Sequence, residues 1–245
     1  SPNGLLDPQA VAAAMTDKTV LVAVMLANNE IGVIQPLRAI ADIAHQHNAL
    51  LMTDATQAVG KIPVDVNALG IDLMAFSAHK LYGPKGVGAL YVRRRNPRVR
   101  LTALIHGGGH ERGFRSGTLN VPGIVGFGKA VALCSESMIA EGERLSALRD
   151  QLENSLLKLP SVIVNGDPEQ RLPHVTNLSF GYVDADALIM SMRDLAVATG
   201  SACTSASFEP SHVLQALGMN DQAAYASIRF SLGRFTTADE ITATI

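Results

Sequence analysis

The chain has 245 residues, 47% of them hydrophobic and 17% charged, which is enough to bury one large core or two smaller ones and too apolar for disorder over most of its length. Its 20 basic side chains against 22 acidic ones, a formal charge of -2, argue against direct nucleic-acid binding and for a small-molecule or protein partner. Cys134 and Cys203 lie too far apart for a metal knuckle, and one possible bridge in a chain this long suits a reducing, cytoplasmic compartment; no signal peptide and no unbroken run of about 18 apolar residues is present, so no membrane attachment is expected.

Val20 to Leu26 reads as an apolar strand ending near Asn28 and Asn29. Pro36 stands where a helix would begin, and Leu37, Ile40, Ala41 and Ala44 follow at helical spacing up to His47. A second strand then runs to Asp54, which completes a βαβ unit. Lys61 to Gly70 leads into a third apolar run, Ile71 to Ser77, and Val87 to Arg93 forms a further short strand behind a glycine-rich turn. The pattern predicts a mainly parallel, doubly wound α/β sheet.

A long helix is expected from Gly123 through Leu145, Leu148, Leu152 and Leu156 to Pro160. Short strands follow at Val162 to Val164 and Val175 to Phe180, then a helix from Asp184 to Arg193 and a strand from Ile228 to Ser231. These make a smaller α+β part, so residues 1–135 are expected to belong to a large cofactor-binding domain and 136–245 to a connecting helix and small domain. Thr237-Ala238-Asp239-Glu240 reads as a capping box, and with Ile245 only about two turns beyond it natural sequence is expected to continue.

Asp54 precedes Lys80 by 26 residues, and each follows an apolar run, with Gly83, Gly86 and Gly88 behind the lysine. Ligands of open α/β sheets gather at the carboxyl ends of strands, so both polar tips should face one crevice. A lysine amine there can condense with an aldehyde cofactor, and a carboxylate against a pyridine nitrogen keeps the ring protonated as an electron sink. That is the layout of a pyridoxal phosphate site. Gln57, one turn after Asp54, and Asn28 or Asn29 could reach the ring oxygen, although either would read as ordinary loop residues in isolation. Ser77 and His79 can donate to a phosphate, and Gly117 and Thr118 offer further anion donors. His106 and His110 are four apart, but three intervening glycines disfavour the rigid helix a metal site there would need.

Cys134 reads as a buried small hydrophobe. Cys203 differs, because Gly200 to Ser207 holds only small residues that cannot bury it. An exposed thiol on such a tether is what a nucleophile needs if it must visit a substrate and then an acceptor. Arg229 is a candidate fork for a substrate carboxylate, with a structural ion pair as the competing reading.

Together, Asn28-Asn29-Glu30-Ile31-Gly32, Asp54-Ala55-Thr56-Gln57, Ser77-Ala78-His79-Lys80, Gly107 to Gly113, Arg115-Ser116-Gly117-Thr118 and Gly200-Ser201-Ala202-Cys203-Thr204-Ser205 resemble the cysteine desulfurases, in particular the housekeeping type of iron-sulfur cluster assembly. The resemblance implies a fold-type-I pyridoxal phosphate transferase that takes sulfur from L-cysteine and leaves L-alanine. It implies that Lys80 carries the cofactor and moves protons, that Asp54 pairs with the ring nitrogen, and that Asn29 and Gln57 address the ring oxygen. Ser77 and His79 would bind the phosphate, Thr118 the phosphate of the other subunit of a homodimer, and Arg229 the substrate carboxylate, with Asn29 also at the substrate. Cys203 would attack the substrate sulfur and carry the persulfide, with a role as transient iron-sulfur ligand also open and no resident metal. Implied partners are a cluster scaffold protein and sulfur carriers, including those of tRNA thiolation. The family's upstream phosphate loop and ring-stacking histidine have no match before Asn28, and its C-terminal segment is not reached. Another fold-type-I enzyme, such as an aminotransferase or selenocysteine lyase, and a truncated form that only docks sulfur acceptors are the alternatives.

Overall fold

The computed structural model describes residues 1–199 and 210–245. In chain order its elements are α1 (Pro8–Ala14), β1 (Leu21–Ala23), α2 (Leu37–Gln46), β2 (Leu50–Asp54), β3 (Leu73–Ser77), β4 (Gly88–Val92), α3 (Val121–Leu156), β5 (Val162–Val164), β6 (Val175–Phe180), α4 (Ala185–Ser191), α5 (His212–Ala216), α6 (Asp221–Tyr225), β7 (Ser227–Ser231) and α7 (Ala238–Thr244). They fall into two compact units, one of Ala12–Met25 with Leu37–Ser137, the other of Ser1–Val11, Leu26–Pro36 and Met138–Ile245. Residues 1–11 and 26–36 thus cluster with the C-terminal part of the chain, where the sequence suggests a single cut at 135.

The first unit is built on a four-stranded sheet in the order β1-β2-β3-β4. β1, β2 and β3 are parallel, with Leu21 opposite Leu50 and Asp54 opposite Ala75. β4 runs antiparallel to β3, pairing Ser77 with Gly88. The connection from Ala78 to Val87 is too short for a parallel crossover, which takes a dozen or more residues. α2 buries Leu37, Ile40, Ala41 and Ala44, the stripe its 3.6-residue period sets on one face. Gly70 has a positive φ of +69°, and a Cβ there would lie 2.7 Å from the Ala41 Cβ, so only glycine lets the loop close over α2.

The second unit carries the antiparallel sheet β5-β6-β7. Every residue of β6 is buried, and its two faces differ in chemistry. Leu178 and Phe180 join Ile228 and Phe230 of β7 and the α3 stripe Leu145, Leu148, Leu152 and Leu156 in one core. Asn177 and Ser179 point the other way, as the two-residue period of a strand requires. There Asn165 Nδ2 donates to Asn177 Oδ1 and Ser179 Oγ, each at 2.8 Å, so the buried amide is satisfied. The capping box of α7 forms as expected, with Thr237 Oγ1 accepting from the Glu240 N–H and Glu240 Oε2 from the Thr237 N–H.

One helix among the described residues, α3, is long and apolar enough to cross a membrane by length and composition. Small residues and scattered charges hide this from a search for unbroken apolar runs. In the first unit one face of α3, Phe127, Ala130 and Cys134, packs on Ala78 and Leu81, with Phe127 edge-on to Phe76 at 5.6 Å.

Candidate active site

In the first unit, parallel pairing of β2 with β3 brings their carboxyl ends to one end of the sheet. Asp54 closes β2 with an exposed carboxylate whose Oδ1 accepts the Thr56 N–H at 2.8 Å, an Asx turn that starts the chain curling. Ala58 and Val59 continue that turn by donating to Ala55 O, both at 2.9 Å, and Gln57 sits half-buried within it. Two residues beyond Ala75, the partner of Asp54, β3 ends at Ser77, and a single 3-10 turn, Ala78–Leu81, carries His79 and Lys80. Ala78 and Leu81 are the buried residues of that turn, so its inward side is anchored while His79 and Lys80 are exposed. Ser77 Oγ and His79 Nδ1 lie 2.7 Å apart.

Thr118 lies in the same unit, exposed, at the end of the His106 to Thr118 loop. The loop is tied by buried Ser116, whose N–H donates to Ile105 O at 3.1 Å and whose Oγ accepts from Gly109 N at 3.2 Å. His110 Nδ1 accepts the Gly117 N–H at 3.3 Å, which gives that histidine a loop-closing role.

Asn29 and Arg229 belong to the second unit. The sequence reading puts Asn28 and Asn29 at the end of the first strand. Instead β1 ends at Ala23, and residues 26–36 form a separate turn anchored by buried Leu26, Ile31 and Val33. Asn28 Oδ1 accepts the N–H of Glu30 at 2.8 Å and of Ile31 at 3.0 Å, so Asn28 spends its side chain on the turn. Asn29 is left half-exposed. Asn177 and Arg229 face each other across β6 and β7, and both reach the turn: Asn177 Nδ2 donates to Glu30 O at 3.2 Å and Arg229 Nη1 to Asn29 O at 2.7 Å. No carboxylate of the described residues forms an ion pair with Arg229, and its buried Nε has no partner. Burial pushes the guanidinium below its ordinary pKa, and the charge of Glu30 opposes that shift. A half-buried cation without a direct counter-ion is suited to an anionic ligand, which weakens the reading of Arg229 as a structural ion pair.

Cys203 lies outside the described residues. Glu30 enters the sequence reading only as a member of the Asn28 to Gly32 motif, with no role of its own, and Asn177 escapes it; an asparagine inside the otherwise strand-like run Val175-Thr176-Asn177-Leu178 is the one signal for the latter.

The donors present fit pyridoxal phosphate. The first unit groups a carboxylate, an amine, and a hydroxyl–imidazole pair at one sheet end, matching a ring nitrogen, an aldehyde and a phosphate. The chain matches the aminotransferase class-V family over residues 1–244. It is 57% identical over 243 residues to the cysteine desulfurase IscS of Pectobacterium atrosepticum, covering 99% of this chain and 60% of that protein. The IscS of Escherichia coli O139:H28 is 56% identical, with the same coverage. The chain therefore spans about 60% of the length of the curated relatives it matches. Among solved structures, the NifS-like protein of Rickettsia africae superimposes with a TM-score of 0.88 at 33% identity, covering all of this chain and 66% of that one. SspA in complex with cysteine gives a TM-score of 0.79 at 36% identity, covering 97% and 65%. Family match, fold and the lysine-bearing sheet end agree: the chain belongs to the class-V aminotransferases, a family of pyridoxal-phosphate-dependent enzymes.

Proposed function

We propose that this chain carries the chemistry of a cysteine desulfurase, converting L-cysteine to L-alanine and moving the sulfur to Cys203 as a persulfide. The observation that carries the reading is the β2/β3 register, which groups Asp54 with Ser77, His79 and Lys80 at one sheet end. When bound, pyridoxal phosphate supplies an electron sink for the α-carbon of the amino acid.

The protein's own groups do the rest. The Asp54 carboxylate would hold the proton on the ring nitrogen. The Lys80 amine would hold the aldehyde carbon and would carry protons to and from the α-carbon of the amino acid. A neutral His79 has one ring proton to give: donating it from Nδ1 to Ser77 Oγ would free the Ser77 hydroxyl hydrogen for a phosphate oxygen, whereas accepting that hydroxyl at Nδ1 would leave the Nε2 hydrogen for the phosphate. By the family resemblance Gln57 and Asn29 would donate to the ring oxygen, Asn29 would also contact the substrate, and Arg229 would take the substrate carboxylate. Cys203 attacks as thiolate: the new S–S bond forms as the substrate Cβ–S bond breaks, and the bonding pair stays on carbon, which gains a proton to become the alanine methyl group.

A homodimer completes the reading, with Thr118 reaching the phosphate held by the other subunit. Leu104 is 94% exposed in the loop leading to Thr118, and Val121, Ile124 and Val125 are exposed at the start of α3, apolar side chains that a second subunit would cover. Sulfur would then pass to a cluster scaffold protein or to carriers such as those of tRNA thiolation, in the cytoplasm.

The test is to add pyridoxal phosphate to the purified protein, remove the excess, and record the visible spectrum before and after L-cysteine while assaying alanine and persulfide. A cofactor band absent in Lys80→Ala, and persulfide absent in Cys203→Ser, are expected. Full alanine turnover with the Cys203→Ser protein would overturn the desulfurase reading in favour of another class-V reaction.

A further inference from the structure

The turn that carries Asn29 holds a charge the mechanism above does not use. Glu30 is 1% exposed. Its backbone is fixed by Asn28 on one side and Asn177 on the other, as given above, and its carboxylate Oε2 accepts the Ser211 hydroxyl at 2.5 Å. No basic side chain of the described residues forms an ion pair with it. A glutamine could accept the same hydroxyl, and an unpaired buried carboxylate is costly to keep. What the carboxylate adds over the amide is its field. Arg229 feels that field, being tied to the neighbouring carbonyl of the same turn.

We propose that Glu30 is a positioning residue whose charge tunes how tightly Arg229 holds the carboxylate of the amino acid. This rests on the reading of Arg229 as the carboxylate anchor. An arginine keeps its proton with or without help, so the support Glu30 gives to the cation is dispensable. The repulsion between Glu30 and a ligand carboxylate sharing that cation is not. Glu30 therefore loosens the hold on L-alanine and favours release of product. At a separation of about 10 Å and an effective dielectric constant of about 20, one unit charge corresponds to roughly tenfold in affinity.

The protein loaded with pyridoxal phosphate is titrated with L-alanine, and separately with ethylamine, which is the same amine without the carboxylate, following the cofactor absorbance. Glu30→Gln should bind L-alanine roughly tenfold more tightly with ethylamine unchanged, while Glu30→Asp, which keeps the charge, should stay within about twofold of wild type. A purely structural role gives the reverse order, with Glu30→Gln like wild type and Glu30→Asp impaired, and overturns the proposal. Arg229→Gln separates the two levels: if it keeps the wild-type preference for L-alanine over ethylamine, the anchor reading itself fails. A second measurement needs no cofactor. Phenylglyoxal labelling of the Arg229 peptide, read by mass spectrometry with L-alanine as protectant, should show half-protection at a lower concentration in Glu30→Gln; an unchanged concentration refutes the proposal.

Discussion

Removing the Asp72 carboxylate should destabilise the first unit by about 3–4 kcal/mol, most of it from one orphaned N–H and one lost charged bond. Asp72 has no exposed side-chain surface. Its N–H donates to Leu51 O at 3.0 Å while its Oδ2 accepts the Leu51 N–H at 2.9 Å, so it joins β2 to the start of β3 through both backbone and side chain. The same oxygen lies 2.7 Å from His45 Nε2 on α2. Arg93 Nε is 3.1 Å from Oδ1 but aims its hydrogen at Ile71 O, so that contact is one of charge, and Oδ1 has no hydrogen bond. In Asp72→Ala the buried Leu51 N–H loses its acceptor, at about 1–3 kcal/mol, and the charged bond to His45 is lost at about 1.5–3 kcal/mol. The second figure belongs at its lower end, because His45 is 36% exposed and can turn to water. Arg93 adds little, since it keeps Val66 O, Ile71 O and Asn67 Oδ1 as acceptors. Asp72→Asn keeps an acceptor for Leu51 and should cost about half as much. Urea unfolding followed by circular dichroism, compared at equal m-value, measures both. Equal losses in the two variants, or a loss under about 0.5 kcal/mol in Asp72→Ala, would refute this account of the clasp.

Ser77→Ala should weaken retention of pyridoxal phosphate roughly tenfold by removing one donor to the phosphate, read by equilibrium dialysis; unchanged retention would remove Ser77 from the cradle. Gly70→Ala combines a positive φ with a Cβ only 2.7 Å from that of Ala41, and should cost about 2–4 kcal/mol in the same urea assay. Glu153 in α3 is opposed by burial, but hydrogen bonds from Arg171 and Thr176 and the charges of Arg171 and Arg149 outweigh it and hold its pKa below the ordinary value. A lowered carboxyl pKa gives stability that is full above the unfolded value near 4.5 and is lost as pH falls through the folded one. Acid titration of the urea midpoint from pH 6 downward should therefore fall less steeply in Glu153→Gln than in wild type, and parallel curves would contradict the assignment.

What a sequence can reveal here divides by the distance over which each feature is decided. β2 and β3 are legible because each is a short apolar run ended by a polar residue, Asp54 or Ser77, and the leucine stripe of α3 declares its buried face by spacing alone. Even the antiparallel turn of β4 follows from a connection too short to cross over. β1 is shorter than its apolar run, Leu21–Ala23 within Val20 to Leu26: its pairing stops at Ala23 opposite Met52 although β2 runs on to Asp54, and by Leu26 the chain has left the sheet for the turn that holds Asn29. The position of Asn29 could not be read in the same way. Nothing within ten residues of it distinguishes a turn at a strand end from a turn clasped by Asn177 and Arg229, which lie 148 and 200 residues further on. The chemistry of that clasp is fixed by strand periodicity acting on two distant segments: Leu178, Ile228 and Phe230 face the α3 core, so Asn177 and Arg229 must face away from it, and register then sets them opposite one another. A one-residue slip of β7 would carry Arg229 into the leucine core and free the Asn29 carbonyl. The burial of Ile228 and Phe230 thus sets where Arg229 points as firmly as any polar residue of the clasp.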